Sequence, residues 1–498
     1  MIKNYFKIAW RNLTRNKTFA SLNIFGLTIG IAVCVLIGIW LQKELSYDNF
    51  HPNGKQIFRI ANTFKSESES FSQAGSGCAL GAQLPKQLPS IQSACRVFTE
   101  TFKVKTGNDQ FIESNAIIVD SNFFKFFGFR LKKGQPTNVL AMADHLVLSE
   151  KLAVKYFGNA DNAIGRTVLI DNEYPMMVAG ICENSPMNSH IQFDMVVPFA
   201  HLRRIATEKW KFDIDNAWSG GWPFTYVQVA DPSKWEQAEK QVNSVVAHFS
   251  EKEWKENKMT YSYFFQPIHD IHLKSHLRYD AANNGSLARV KIFTIIGIIV
   301  LLLACINYVN LTTAGAIRRA KETSVRKVVG ATKVLLVRQF FTETFLVSAI
   351  AVLLGVLTVK LLLPVFSQWL GQSYSFDFSQ TNLLIISAFI LFISVTAGVY
   401  PAFILSSFKP AISLKGNFSL SNRGNFIRKS LVLFQFTIGI ALIASLIIIT
   451  QQMQFIKNKS LGFNGKAVVE VKFFGEDAVK SIYIECKQTC TKRSGRLR

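Results

Sequence analysis

Five apolar stretches, each long enough to cross a bilayer as a helix, constrain what this chain can fold into. A spanning helix needs about 20 residues, and the hydrocarbon layer offers no water to an open backbone group. The stretches run Phe19–Leu41, Ile292–Thr312, Phe345–Phe366, Leu383–Leu405 and Leu431–Thr450. The expected fold class is an α-helical polytopic membrane protein with five transmembrane helices and a large α/β (α+β) extracytoplasmic domain between the first two spans. Lys3, Lys7, Arg11, Arg15 and Lys17 precede the first stretch with no acidic residue among them. A cleaved signal peptide shares that basic start. Here, though, the apolar run is longer than an h-region and no small-x-small cleavage site follows it. Residues 1–18 are therefore read as a cytoplasmic basic amphipathic segment and 19–41 as an uncleaved first span.

Loop charges test the alternation that follows. The loop after the second span holds Arg318, Arg319, Lys321, Arg326, Lys327 and Lys333, which predicts a cytoplasmic position. Ser367–Asn382, after the third span, has no Lys or Arg and is expected outside. Lys409, Lys415, Arg423, Arg428 and Lys429 place the next loop inside again, with 406–430 as a cytoplasmic linker. The net charge of +23 would suit a nucleic-acid binder. Its position beside apolar runs, and the absence of any RNP, zinc-finger or helix-turn-helix pattern, argue against nucleic acid as a partner.

Residues 43–288 form one polar insertion, expected outside, whose length of about 245 residues suffices for a core of its own. Strand-like runs (Asn115–Val119, Thr167–Ile170, Met176–Val178) alternate with helix-like ones (Ser149–Tyr156, Trp235–Phe249), which predicts two α/β or α+β subdomains. Phe123, Phe124, Phe126, Phe127 and Phe129 read as a core corner rather than a binding surface. The 7 cysteines make no framework. Cys34 and Cys305 read as packing residues inside apolar runs; a Cys78–Cys95 bridge is an open alternative if the insertion lies outside.

Thr28-Ile-Gly-Ile-Ala32 in the first span recurs as Thr437-Ile-Gly-Ile-Ala441 in the fifth, 409 residues on. Both copies follow a basic segment, so residues 431–450 read as the start of a second repeat. Residues 451–498 are expected to be a truncated second extracytoplasmic segment. Their basic, non-periodic tail from about Gly475, with Cys486 and Cys490, reads as a frameshift or gene truncation in preference to a functional tail.

Catalytic chemistry finds no footing. No segment has the Gly-x-x-x-x-Gly-Lys-Ser/Thr phosphate loop, His-Glu-x-x-His or Gly-x-Ser-x-Gly. His269-Asp-Ile-His272 lacks the further ligands of a metal site and reads as surface or packing histidines. The chain is expected not to be an enzyme and to carry no cofactor and no metal. The informative residues lie at the membrane edge. Residues 317–337 read as an amphipathic helix pair broken at Gly330-Ala331, either a positive loop facing lipid headgroups or a docking element for a cytoplasmic partner. Asn307 and Asn310 in the second span, and Glu343 opening the third, need partners at that depth. Gly26-x-x-x-Gly30 reads as a helix-packing face, with dimerisation a special case, and Pro401 as a kink or end of the fourth span.

Several of these motifs together resemble one family. Asn307-Tyr-Val-Asn310-Leu-Thr-Thr-Ala, followed by Arg319-Ala-Lys321-Glu322-Thr-Ser-Val-Arg326-Lys327-Val-Val-Gly330-Ala, is similar to the signature of FtsX-like permeases. Ala397-Gly-Val-Tyr-Pro401-Ala-Phe fits the same family. Ser121-Asn-Phe-Phe124, Leu148–Gly158 and Asn188–Asp194 look like the MacB-type periplasmic core domain. Thr323-Ser324 stand where the loop motif usually has Ile-Gly. The resemblance implies an FtsX-like permease domain over 292–405 and a MacB-like domain over 43–288. It further implies a separate cytoplasmic ABC ATPase engaged by the loop Arg318, Arg319, Lys321, Glu322, Arg326, Lys327 and Gly330. A permease dimer, formed with itself or a relative, and a periplasmic partner are also implied. Relatives with two external domains have eight spans. The expected function is export or extraction of a peptide, lipoprotein or amphiphile by mechanotransmission, in a bacterial inner membrane. The alternatives are a regulator that activates an envelope enzyme or sensor without transport, and a non-functional truncated product.

Overall fold

The computed structural model describes residues 2–280, 284–315, 323–376, 379–407 and 422–459. These form two compact units: one holds the residues up to Lys43 and those from Ala288 on, the other Glu44–Leu287.

The membrane unit is built of helices longer than the apolar stretches alone suggest. They run Lys17–Leu45, Leu287–Ala314, Lys333–Leu370, Gln380–Ser407 and Asn422–Asn458, and all five are long and apolar enough to cross a membrane. The extra turns are polar or basic ends, where helix hydrogen bonding continues beyond the hydrocarbon boundary. A further helix, α1 (Ile2–Arg15), precedes the first span and packs along the third. The buried seam of this unit is lined by Leu27, Ile31, Ala304, Tyr308, Ala351 and Ala397. The alanines among them let the backbones approach, because lipid tails supply no hydrophobic drive for helices to associate.

One expectation is corrected. Glu343 does not open the third span, since that helix starts at Lys333 and Glu343 lies about three turns inside it, buried. Thr332 sets that start by accepting the Leu335 backbone N–H at 3.4 Å as an N-cap. Pro401 lies inside the fourth helix just past the apolar span Gln380–Val399, and the helix itself continues to Ser407.

The inserted unit is organised on one 11-stranded mixed sheet, where two subdomains were expected. The central strands are β1 (Ile57–Ser66), β3 (Ile91–Thr106), β4 (Asp109–Val119), β6 (His145–Ser149), β8 (Tyr174–Cys182), β9 (Met195–Pro198) and β10 (Phe224–Val229). With β2 (Ser70–Gln73), β5 (Leu131–Lys133), β7 (Thr167–Ile170) and β11 (Met259–Pro267) at its margins, the sheet's path is β11-β1-β10-β3-β4-β9-β6-β8-β5, with β2 paired to β1 and β7 to both β3 and β8. The pairs β4–β9 and β6–β8 are parallel and the rest antiparallel. Parallel pairs need crossovers, and α5 (Glu150–Phe157), capped by Ser149, lies in one of them. The strands expected at Asn115–Val119, Thr167–Ile170 and Met176–Val178 all lie within strands, and Trp235–Phe249 is the first part of α7 (Trp235–Glu256).

Phe123, Phe124, Phe126, Phe127 and Phe129 are all buried in one core cluster, as the packing reading requires. Gly128 takes φ +77° to turn the chain between them. Cys78 and Cys95 are free thiols, so no bridge joins them.

Candidate functional site

The basic loop after the second span is described from Thr323. Its earlier members Arg318, Arg319, Lys321 and Glu322 lie outside the described residues. Residues 323–328 are helical and end at Gly330, whose φ of +101° is open to glycine and strained for other residues. Ala331 N–H donates to the Arg326 carbonyl at 2.9 Å and Gly330 N–H to the Lys327 carbonyl at 3.1 Å. That pair of bonds is the Schellman closure, which stops one helix so that the next can restart at Thr332. The helix–break–helix reading of this loop is therefore seen for its described part.

The short helix is anchored on one side and bare on the other. Thr323 and Ser324, the departures from the usual Ile-Gly, are buried. Arg326 donates from Nη1 to Gln339 Oε1 at 2.6 Å, tying the loop to the third span. Val325, Val328 and Val329 point outward, the last 83% exposed. An apolar triplet held out beside fixed cationic residues can receive an apolar groove with an acidic rim.

The polar span residues fall into separate places. Asn307 lies against Gly26, where an added Cβ would sit 2.9 Å from Asn307 Nδ2. Asn310 Nδ2 reaches Gln435 Oε1 of the fifth span at 3.5 Å. Glu343 and Pro401 line a small cavity in which the polar side chains of Asn12, Asn16, Asn23, Tyr308 and Thr344 meet apolar ones such as Phe19 and Phe340. Tyr308 donates to Thr344 Oγ1 at 3.0 Å, which links the second and third spans. Gly26 and Gly30 thus serve packing inside this chain, with Gly30 against Ala304.

Sequence reasoning missed a cluster just past the first span. Glu44 at the end of the first spanning helix, Asp48 and His51 are buried with His190 from a distant loop and His272 from the helix Ile268–Lys274. The signal was present as two acids and a histidine in eight residues beside a span end, and only the fold supplies their partners. His272 Nε2 lies 3.0 Å from Glu44 Oε2 and stacks on Tyr47. His269 and His272 therefore belong to different surroundings, and among the described residues no His/Cys/Asp/Glu group is arranged to hold a metal.

Five helices long and apolar enough to cross a membrane, with one large α/β insertion and a capped basic loop between the second and third, define the class as a polytopic membrane protein. Residues 20–245 match the MacB-like periplasmic core domain and residues 294–410 the FtsX-like permease C-terminal. The chain belongs to the MacB/FtsX family of ABC transporter permeases. It is 25% identical over 409 residues to the macrolide export ATP-binding/permease protein MacB of Salmonella paratyphi A, covering 79% of this chain and 58% of that protein. To MacB of Escherichia coli O6:K15:H31 it is 23% identical over 388 residues, covering 76% and 55%. The chain thus spans a little over half the length of the curated relatives it matches. The periplasmic region of MacB from Actinobacillus actinomycetemcomitans is similar at 20% identity and TM-score 0.31, over 44% of this chain and 91% of that one.

Proposed function

We propose that this chain is a permease subunit that couples ATP hydrolysis by a separate cytoplasmic ATPase to export or extraction of an extracytoplasmic peptide, lipoprotein or amphiphile. In this reading it sits in a bacterial inner membrane with its basic loops inside and its α/β unit in the periplasm. It catalyses nothing itself and works as a mechanical transmitter. The positive-inside pattern of the loops supports that orientation.

One observation carries the reading. The short helix at 323–328 and the turn after it present Val325, Val328 and Val329 to solvent while Arg326 ties the helix to Gln339 of the third span. A load on the valines then reaches a spanning helix through a charge-assisted bond and a rigid capped turn. The test is co-purification of an ATP-binding subunit, identified by nucleotide photolabelling, with full-length protein from native membranes. Val328→Asp with Val329→Asp, and separately Lys327→Glu, are expected to lose that subunit while the permease stays folded. Retention at the wild-type ratio in both variants would rule out the docking role.

A further inference from the structure

β11 is one margin of the sheet: it pairs with β1 along one side, and among the described residues no strand pairs with its other side. Such an edge leaves backbone donors and acceptors unmet unless something covers them. In an antiparallel ladder every second residue turns both its N–H and its C=O away from the partner strand. Tyr263 and Phe265 belong to that outward set, because α7 receives them. Tyr263 N–H donates to Asn243 Oδ1 at 2.8 Å, and Asn243 Nδ2 donates to the Tyr263 carbonyl at 2.7 Å. Phe265 N–H donates to Glu239 Oε2 at 2.6 Å. Asn243 thus does for Tyr263 what a neighbouring strand would. Pro267, next in the set, has no N–H to cover.

In the other direction the cover stops. Four residues of a helix rise about 6 Å and two of a strand span about 6.8 Å, so caps can recur at i+4 on α7 as the strand steps back by two. Glu239 and Asn243 keep that stride, which puts Ala247 beside Tyr261 and Glu251 beside Met259. Alanine has no polar atom to offer. Glu251 does line one groove with Met259, but its carboxylate is taken by Lys255 at 2.6 Å. Ser66, the β1 residue opposite Met259, sends its own N–H to the Glu69 carbonyl at 2.9 Å, as a pair that faces outward requires. Tyr261 is only half-buried, so the edge there is within reach of solvent.

We propose that this uncapped edge, Met259 to Tyr261, is a docking site where a partner protein in the compartment that the α/β unit faces adds an extended, acidic segment as a further strand. Unmet backbone groups at strand spacing are answered by extended backbone. A groove of about 520 Å³ beside the edge selects the side chains. Trp254 is its apolar wall, fixed by an Nε1–H bond to Ser219 Oγ at 3.1 Å, with its ring centroid 6.0 Å from that of Tyr261. Lys65, Lys255 and Lys258 surround the groove. Lys255 is paired with Glu251, and Lys258 with Glu67 at 3.0 Å. Lys65 is exposed and has no ion pair among the described residues, so the groove carries one surplus positive charge. A carboxylate on the incoming strand meets Lys65, and an apolar side chain on the same face meets Trp254. The site lies wholly within the α/β unit and is independent of the docking role of Val328 and Val329.

The test is amide hydrogen exchange of the full chain in lipid nanodiscs, resolved to single residues by electron-transfer fragmentation. The probe is the blocked synthetic peptide Thr-Val-Glu-Val-Phe-Val-Thr. Without it, the Tyr261 amide is expected to exchange about a hundredfold faster than the Tyr263 amide. With peptide titrated to about ten times its Kd, Tyr261 exchange should slow about tenfold while Tyr263 is unchanged. The same peptide N-methylated at alternate residues keeps its side chains, loses its strand hydrogen bonds, and should slow nothing. Ala247→Asn supplies the missing cap, so it should slow Tyr261 exchange by itself and remove the effect of the peptide. Should that variant fail to fold, Lys65→Glu at an exposed position decides, and the peptide concentration for half-protection should rise about tenfold. A Tyr261 amide as slow as Tyr263 without peptide, no slowing with it, equal slowing by both peptides, or an unchanged titration in Lys65→Glu overturns the proposal. Protection of Tyr261 that grows with protein concentration alone would overturn it too, by giving the edge to a second copy of this chain.

Discussion

A Cβ atom on Gly30 would stand 2.6 Å from the Ala304 methyl carbon, so the first and second spans are in contact at a point where no side chain fits. Gly30→Val is therefore expected to part the two helices and cost about 1–3 kcal/mol, the usual range for overpacking. The same pentapeptide in the fifth span supplies the control. Gly439 has nothing within 4 Å among the described residues, and its neighbour Ile440 is exposed. Gly439→Val should leave the melting temperature of the purified protein unchanged. Equal effects of the two substitutions would mean that composition, and not contact, decides.

Arg96 is the other tight junction. Its side chain is buried and donates to both Asp120 oxygens at 2.7 and 3.0 Å, to Asp215 Oδ1 at 2.7 Å and to the Cys78 carbonyl at 3.0 Å. Its guanidinium also lies 3.7 Å above the Phe199 ring. One residue thus joins β3, α3 (Cys78–Gln87) and the loop before β10. Arg96→Met is expected to destabilise the α/β unit by about 3–5 kcal/mol, because two carboxylates lose a buried partner. Arg96→Lys should recover only part of this, since an ammonium cannot match a planar fork that also stacks on an aromatic ring. Chemical denaturation followed by Trp218 fluorescence reads both, and a full rescue by lysine would reduce the clamp to a point charge.

Apolar length and loop charge made the spans legible in the sequence, because both follow from transfer energies of single residues. The Phe123–Phe129 core and the break at Gly330 were legible for the same reason, being local. The helix ends were less so. Lys333 looked like a loop residue, yet the Thr332 cap starts the third helix at it, which carries Glu343 inside. Pro401 read as a kink or an end because its ring removes one backbone donor; the apolar span stops at Val399, while the helix runs on to Ser407. The partners of Asp48 were out of reach, since His190 lies 142 residues away in sequence and only the sheet order brings it back. The loop of Arg326 and Lys327 was found by its charge. Its outward valines became visible only with the fold.

The cysteines of the α/β unit should behave as inert packing residues. Burial pushes the Cys78 thiol up to about 11 and Cys182 to about 12, and raises Cys95 well above the ordinary range. A thiol reacts as its thiolate, so none of the three should take up maleimide at neutral pH until the protein is unfolded. Mass spectrometry after labelling counts the modified sites. Labelling of Cys95 in the native protein, or a Cys78–Cys95 linked peptide, would contradict the structure.

Acid should unfold the α/β unit through a small set of aspartates. Burial works to raise the Asp280 carboxyl, but Arg59, at 2.5 Å and itself without exposure, holds it down together with Ser275 and Asn284. Burial likewise opposes, and Arg203 and Arg96 reverse, the shift of Asp215, which also ends below the ordinary range. In the unfolded chain these groups take up protons near about pH 3.9. Below that pH the unfolded state binds more protons than the folded one, so stability that is complete above it drains away as pH falls through the folded values. Asp280→Asn forfeits that contribution at every pH. The variant should therefore be less stable than wild type at about pH 6, and the gap should narrow towards about pH 2. Urea unfolding at a series of pH values, read by tryptophan fluorescence, measures the gap. A constant gap over the whole range would show that Asp280 stabilises the fold by shape alone, with its charge on Arg59 contributing nothing.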